Sequence, residues 1–495
     1  MMSREAEEEA AGDGDPKRAL MLRLADKIVL AFFFAPVVLA ALLLGGVRDW
    51  AWAPIAGLIG VVAVLVALGL GAGRGFEVSD RERRPLLVLI GCFVVFVAFA
   101  LLQMSSIAPA SGSAWLYAAA KKILGSAHAA VPDLAIDAAR DTLMKCVTCG
   151  LVFLMARTIC RDRDHARMLL VLFVASAVVS AGYGLIMHVT THGCYVGTYV
   201  KKQGGYDLMS SCLMSGTFVN SNSFAAYVGM AMVAAVALIA SGRRRQSARG
   251  FDGSALHRFE ALITSSRIVL LVSILALLGG LLMSASRAGF AATMAGALAL
   301  ALLLMHRRWR ERPDMVRWFW LGVAVLLVVA AIAGSTLLTK AVNASDSSTR
   351  IAIWMTCLQA IGLSPWLGWG LGSFADIFTI LQPALTSQPN NLAHSTPLET
   401  MVELGVIGAI PAFIVILLPW GVCLRGALAR GYRHRIYPAA AFAIATVPIL
   451  HSTVDFSLQI PAVGYVVSAV LGMGWAQTFA RGTRMADHAG TEGPA

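Results

Sequence analysis

Three residues draw attention first because their types and settings suit chemistry on an anion. His394 occurs in NNLAHSTPLETMVELG (390–405). Thr396, Pro397 and Glu399 read as a capping box with proline at the first helical position, so a helix starts there and His394 lies just outside it. A neutral imidazole in that place can take a proton from an attacking hydroxyl; a lone loop histidine also has a plain structural reading. Glu399 and Glu403 are four apart on one helical face, and either could orient His394. Arg287 lies in MSASRAGF (283–290), a tight turn between two apolar blocks. Arginine at the centre of a bilayer costs ~3 kcal/mol, so an anionic partner is one explanation for keeping it and snorkelling to lipid phosphates is another. Arg350 follows DSST (346–349) and precedes an apolar run over 351–361, which predicts a helix N-terminus, where free N–H groups and the dipole favour an anion. Two such arginines suit a pyrophosphate, whose oxygens match the guanidinium fork. Lys201 and Lys202 either add to that site or form a solvated loop. His451 and Asp455 are four apart near the end of another apolar block; a polar pair at that depth reads as functional or as packed structure. No recognisable metal-ligand spacing occurs, and neither metal nor cofactor is expected.

Of the 495 residues 58% are hydrophobic and 14% charged, with 40 Lys and Arg against 28 Asp and Glu and a net charge of +12. A soluble domain is about a quarter charged, so an ordinary globular enzyme and a disordered chain are both excluded. Basic residues separate long apolar blocks rather than clustering on one module, which argues against nucleic acid as a partner and for the lipid bilayer. The expected fold class is all-α, a polytopic membrane protein of about 12 transmembrane helices, at 28–47, 51–73, 86–103, 141–159, 168–190, 223–241, 268–284, 289–305, 318–337, 402–424, 436–456 and 462–480. The transmembrane domain is 28–480, flanked by tails 1–27 and 481–495. With both tails inside, about three quarters of the 40 basic residues fall on inner segments, the usual positive-inside bias. The acidic run at 5–9 and the missing early apolar core argue against a cleavable signal peptide. Three outer segments are long: 104–140, 191–222 and 338–401, the last between helices 9 and 10. Trp115 to Leu124 in the first reads as an amphipathic helix at the interface.

Cys92, Cys160 and Cys423 read as small apolar filler. Cys146 and Cys149 form a C-x-x-C inside an apolar helix, with no second pair, which argues against redox or zinc roles. Cys194 and Cys212 share an outer loop and could bridge in an oxidising compartment, leaving Cys357 unpaired.

Read together, GTFVNSNSFAAY (216–227), SASRAG (284–289), Arg350-x-x-x-Trp354, SPWLGWGLGSF (364–374), Ala393-His394 and ELG (403–405) resemble the O-antigen ligase and polymerase superfamily over about 216–461, roughly half the chain. The resemblance implies a metal-independent membrane glycosyltransferase of GT-C-like fold in the bacterial inner membrane. It would take a glycan from an undecaprenyl pyrophosphate-linked donor on the periplasmic side and join it to a hydroxyl of a glycan or lipid A core acceptor. A chain-length regulator is a further candidate partner. It also implies that His394 activates the acceptor, that Arg287 and Arg350 hold the donor pyrophosphate, and that Asn220 and Asn222 are the family's paired asparagines. Ser221, Ser223, Ser395 and Pro397 depart from the family's pattern. The stretch HSTVDFSLQIP (451–461) resembles members of exopolysaccharide synthesis and tilts the expectation to a polymerase over a ligase. A twelve-helix transporter of the major-facilitator type is the alternative class. It is disfavoured by halves that do not resemble each other and by the long outer loop before helix 10.

Overall fold

A bilayer permits only structures that satisfy their backbone hydrogen bonds internally, and this chain does so with helices. The computed structural model describes residues 16–68, 78–105, 122, 135–191, 195–196, 199–200, 213–241, 267–305, 344–382, 391–429 and 432–480. Its helices are α1 Pro16–Leu42, α2 Asp49–Ala67, α3 Asp80–Gln103, α4 Ile136–Ile159, α5 Arg163–Thr191, α6 Ser221–Ser241, α7 Arg267–Met283, α8 Arg287–Met305, α9 Ala344–Leu363, α10 Phe374–Leu381, α11 Thr396–Ala429, α12 Tyr432–His451 and α13 Pro461–Phe479. The all-α expectation needs one small amendment, a hairpin of Tyr195–Val196 paired with Tyr199–Val200. Among the described residues eight helices are long and apolar enough to cross a membrane: α2, α3, α4, α5, α6, α8, α11 and α13. Shorter apolar stretches occupy α1, α7, α9 and α12. Eleven of the twelve expected spans thus coincide with helices; the one at 318–337 lies outside the described residues, as does all of the expected helix at 115–124 except residue 122. Helix α1 starts at Pro16, inside the stretch expected to be a tail, because PKRALMLRLADK is rich in strong helix formers.

Lipid gives apolar helices no hydrophobic reason to associate, so close packing of small residues must supply it. Helices α13 and α6 are the most enclosed of the long apolar ones and α3 the least. Gly472 of α13 lies against Ala156 and the Phe153 carbonyl of α4, and Gly474 against Ala441 of α12 and Cys423 of α11. Gly296 of α8 meets Val447 and the Ala443 carbonyl of α12, while Gly229 of α6 meets Thr293 of α8. A side chain at any of these positions would separate the pair.

Polar ties join helix ends in two sets, as alternating spans require. At one end Gln477 donates to the Cys160 and Arg161 carbonyls and Arg435 to the Leu304 carbonyl, so α4 and α8 receive C-terminal caps from other helices. Glu82 is buried at the same end. It accepts from Arg157 Nε at 2.6 Å, Trp475 Nε1 at 2.8 Å and Arg161 Nη2 at 3.4 Å, clasping α3, α4 and α13. Arg157 is thus held in a buried ion pair between helices. Breaking a buried ion pair typically costs about 3–5 kcal/mol, so Glu82→Ala should lower the melting temperature in detergent markedly, and Glu82→Gln, which keeps an acceptor for Trp475, should lower it less.

The segment 338–401, expected to be a loop, folds on itself where described. Ile353, Cys357 and Ala360 of α9, Phe374, Ile377 and Phe378 of α10, and Trp369, Ala393 and Val402 form a separate apolar core. Ile351, Met355 and Leu358 face outward from α9, each more than half exposed; an apolar stripe of this kind is stable against lipid.

Candidate functional site

The site lies at the end opposite the Glu82 clasp, where α6, α8 and α11 have their N-termini and α12 its C-terminus. The first two N-termini are capped by the side chain of the residue just before them, and the third opens on a backbone bond. Asn220 Oδ1 accepts from the Asn222 and Ser223 amides at 2.6 and 3.3 Å, starting α6. Ser286 Oγ accepts from the Gly289 amide at 3.2 Å, starting α8. The Ser395 carbonyl accepts from the Glu399 amide, starting α11. Three helix N-termini facing one region make it favourable to negative charge.

The turn between α12 and α13 gathers these elements. Asp455 is buried and accepts from Asn222 Nδ2 at 2.6 Å and from the Phe456 amide at 2.7 Å. The Val454 carbonyl accepts from Arg350 Nη1 at 3.3 Å. The Thr396 amide donates to the Ser452 and Asp455 carbonyls, at 2.9 and 3.2 Å. The Phe456 ring meets the His394 ring edge-on, with centroids 5.2 Å apart. Asn222, Arg350, His394 and Asp455 are thus brought together through one seven-residue turn, 451–457.

His394 is half-buried and has φ of 50°. A non-glycine residue in the left-handed region costs of order 1–3 kcal/mol and persists only where its surroundings impose it. Here they do: Glu399 Oε2 accepts from the Ala393 amide at 2.8 Å on one side of His394, and the Thr396 amide is held by the 451–457 turn on the other. Gln459 adds a side-chain hydrogen bond to Glu399. The capping box expected of Thr396 and Glu399 is therefore corrected. Ser395, not Thr396, precedes the helix, so the carboxylate reaches the amide of Ala393. Glu399 positions the His394 loop through its backbone. Glu403 is committed elsewhere: its carboxylate accepts from the Phe374 amide at 3.4 Å and its carbonyl from the Gly370 amide and Gln103 Nε2.

Glu403 and Gly405 belong to a second device. At Gly405 (φ 59°, ψ −171°) helix α11 breaks, and segment 365–370 runs alongside, pairing Trp369 N with Val402 O, Gly370 N with Glu403 O, Val406 N with Pro365 O and Ile407 N with Trp366 O. Gly368 is also left-handed and so close to the Glu403 backbone that no side chain fits. At 34 residues α11 would be about 51 Å long if straight, well beyond a hydrocarbon core of about 30 Å. The break separates the spanning part from the turns that carry Glu399 and follow His394.

Of the two arginines, Arg350 has a different setting from the one expected. Helix α9 begins at Ala344, so Arg350 stands in its second turn rather than at its N-terminus. Serines, aspartate and threonine at 345–349 suit the opening turn of a helix, which the sequence reading assigned to a loop. Arg287 lies in the expected turn between two apolar helices, as the first residue of α8, and is exposed. It follows a reverse turn in which Ala285 has φ of 54°, and Gly289 packs closely on Ala225, one turn into α6. Helix α12 ends at His451, so Asp455 is not on its helical face as the i, i+4 spacing suggested; the STVD run that follows takes turn conformations instead. The sequence reading missed Phe456, Ser457 and Gln459, which lay in view within HSTVDFSLQIP but carry no charge to mark them. Lys201, Lys202, Cys194 and Cys212 lie outside the described residues. The C-x-x-C thiols are unbridged, as are Cys357 and the other described cysteines.

Helical spans tied at both ends, with a strained histidine, two arginines and three helix N-termini at one end, make up a polytopic membrane protein with a polar cluster at that end. Residues 270–413 are similar to the family model described as O-antigen ligase, a stretch from α7 to α11 that includes Arg287, Arg350 and His394. No curated protein matches the chain.

Proposed function

We propose that the protein is an inner-membrane glycosyltransferase working at the periplasmic face on undecaprenyl pyrophosphate-linked glycans. The observation that carries the reading is the 451–457 turn, which holds Arg350, Asn222 and the His394 loop at one end of the bundle, within reach of helix N-termini. In this reading both chain termini are cytoplasmic and the Glu82 clasp faces the cytoplasm.

His394 takes the proton of an acceptor hydroxyl while that oxygen bonds to the anomeric carbon of the donor. The bond from that carbon to the pyrophosphate oxygen breaks, and the pyrophosphate leaves with the electron pair, inverting the centre. Because the leaving group is already an anion, positive charge beside it stabilises the transition state more than a general acid would. Arg287, at the exposed start of α8, and Arg350 supply that charge, and the step requires no metal. Asp455 and Asn222 act as one unit that keeps the turn against α6. Lys201 and Lys202 remain candidates for the donor side, and a Cys194–Cys212 bridge for its loop.

Between the two acceptors, we favour a glycan repeat unit over lipid A core, on the strength of the 451–461 stretch. Purified protein given lipid-linked repeat units alone should lengthen them. If it transfers only when lipid A core is added, it is a ligase; if it transfers in neither case, the glycosyltransferase reading fails.

A further inference from the structure

The imidazole of His451 is 1% exposed. Its Nδ1 lies 2.7 Å from the hydroxyl of Ser457, itself fully buried. That bond joins the first residue of the turn to the last. Two others support it: the Leu458 amide donates to Ser452 Oγ at 3.0 Å, and the Val454 amide to the His451 carbonyl at 3.1 Å. Inside the loop so closed lie Val454, whose carbonyl receives Arg350, and Ser452 and Asp455, whose carbonyls receive the Thr396 amide. Phe456, which meets the His394 ring, is the neighbour of Ser457. The second ring nitrogen, Nε2, is buried with no hydrogen-bond partner among the described residues, and the opposite charges of Asp455 and Arg350 both act on the ring. Packing alone would be better served at this depth by an apolar side chain, so the contribution of the imidazole is sought in its bond to Ser457.

We infer that His451 is a positioning residue for the transfer reaction: through Ser457 it closes the 451–457 turn, and the closed turn holds Arg350 and the His394 loop in register. The inference rests on the function proposed above and adds to it a residue that need not touch substrate.

The test uses full-length protein in nanodiscs with a lipid-linked glycan donor. His451→Ala and Ser457→Ala should each lower kcat by about 10²-fold, the scale of loss when a reacting group is misplaced by an ångström, with the acceptor KM little changed. The double variant should be no worse than either single, because both remove the same bond. His451→Asn, whose amide nitrogen overlays Nδ1, should restore most of kcat, whereas His451→Gln, whose amide overlays Nε2, should not. Additive losses, full activity in His451→Ala, or rescue by glutamine alone would overturn the inference. Should the alanine variants fail to accumulate, Ser457→Thr, which keeps the hydroxyl, compared with Ser457→Val carries the same test. Solid-state spectra of 15N-histidine-labelled protein separate this inference from the reaction itself. The Nδ1 resonance that disappears in His451→Asn should move in Ser457→Ala whether or not the protein transfers glycans, and an unmoved resonance would sink the inference even if transfer is confirmed.

Discussion

His394→Ala removes most glycan transfer while the protein accumulates and melts only slightly below the parent. The expected loss is about 10²–10⁴-fold in kcat, the usual contribution of a positioned general base. The surrounding loop is held by its backbone, through Ala393 to Glu399 and through Thr396 to the 451–457 turn, so the imidazole can be removed without releasing the chain. Alanine fits the left-handed φ of 50° less well than histidine does, whereas asparagine adopts that region readily. His394→Asn therefore separates backbone from chemistry: it should melt at least as high as His394→Ala and transfer no faster. Near-parental turnover in the asparagine variant would remove His394 from the role of base and leave it as a turn residue.

Arg287→Ala is expected to cost about 10²–10³-fold in kcat, the scale of losing one preorganised donor to a developing anion, with a smaller change in the donor KM. Arg287 is exposed at the start of α8, and its removal leaves the Ser286 cap and the Gly289 contact in place, so folding should be unaffected. Arg287→Lys keeps the charge but not the planar fork, and should recover part of the loss and not all of it. Arg350 is a less clean test because it also holds the Val454 carbonyl. An Arg287→Ala enzyme with unchanged kcat for lipid-linked donor would assign that arginine to lipid headgroups at the membrane surface instead.

Much of this arrangement was legible beforehand. A bilayer demands about 20 apolar residues per crossing, and blocks of that length stand in the sequence where α1 to α8 and α11 to α13 occur. The start of α11 was visible from its proline and polar neighbours, His394 and Arg350 stood out as polar residues beside expected helix starts, and Arg287 as a charge between two apolar blocks. Local signals erred where two conformations compete within a few residues. Ser and Asp before Arg350 suit either a loop or a first helical turn, and the structure chose the turn. His451 and Asp455 have helical spacing, yet the helix ends between them.

The sequence alone determined the class of protein, its spans, their alternation and the residue types available for chemistry, because these depend on composition and short-range periodicity. The tertiary structure alone decided which of those residues meet. Arg350 is held by a carbonyl 104 positions away and Asp455 by an asparagine 233 away. Carbonyls and amides belong to every residue, so a site assembled from them leaves no mark in residue type. The same holds for the break at Gly405, the pairing of 365–370 along it and the left-handed His394, each imposed by contacts remote in the chain.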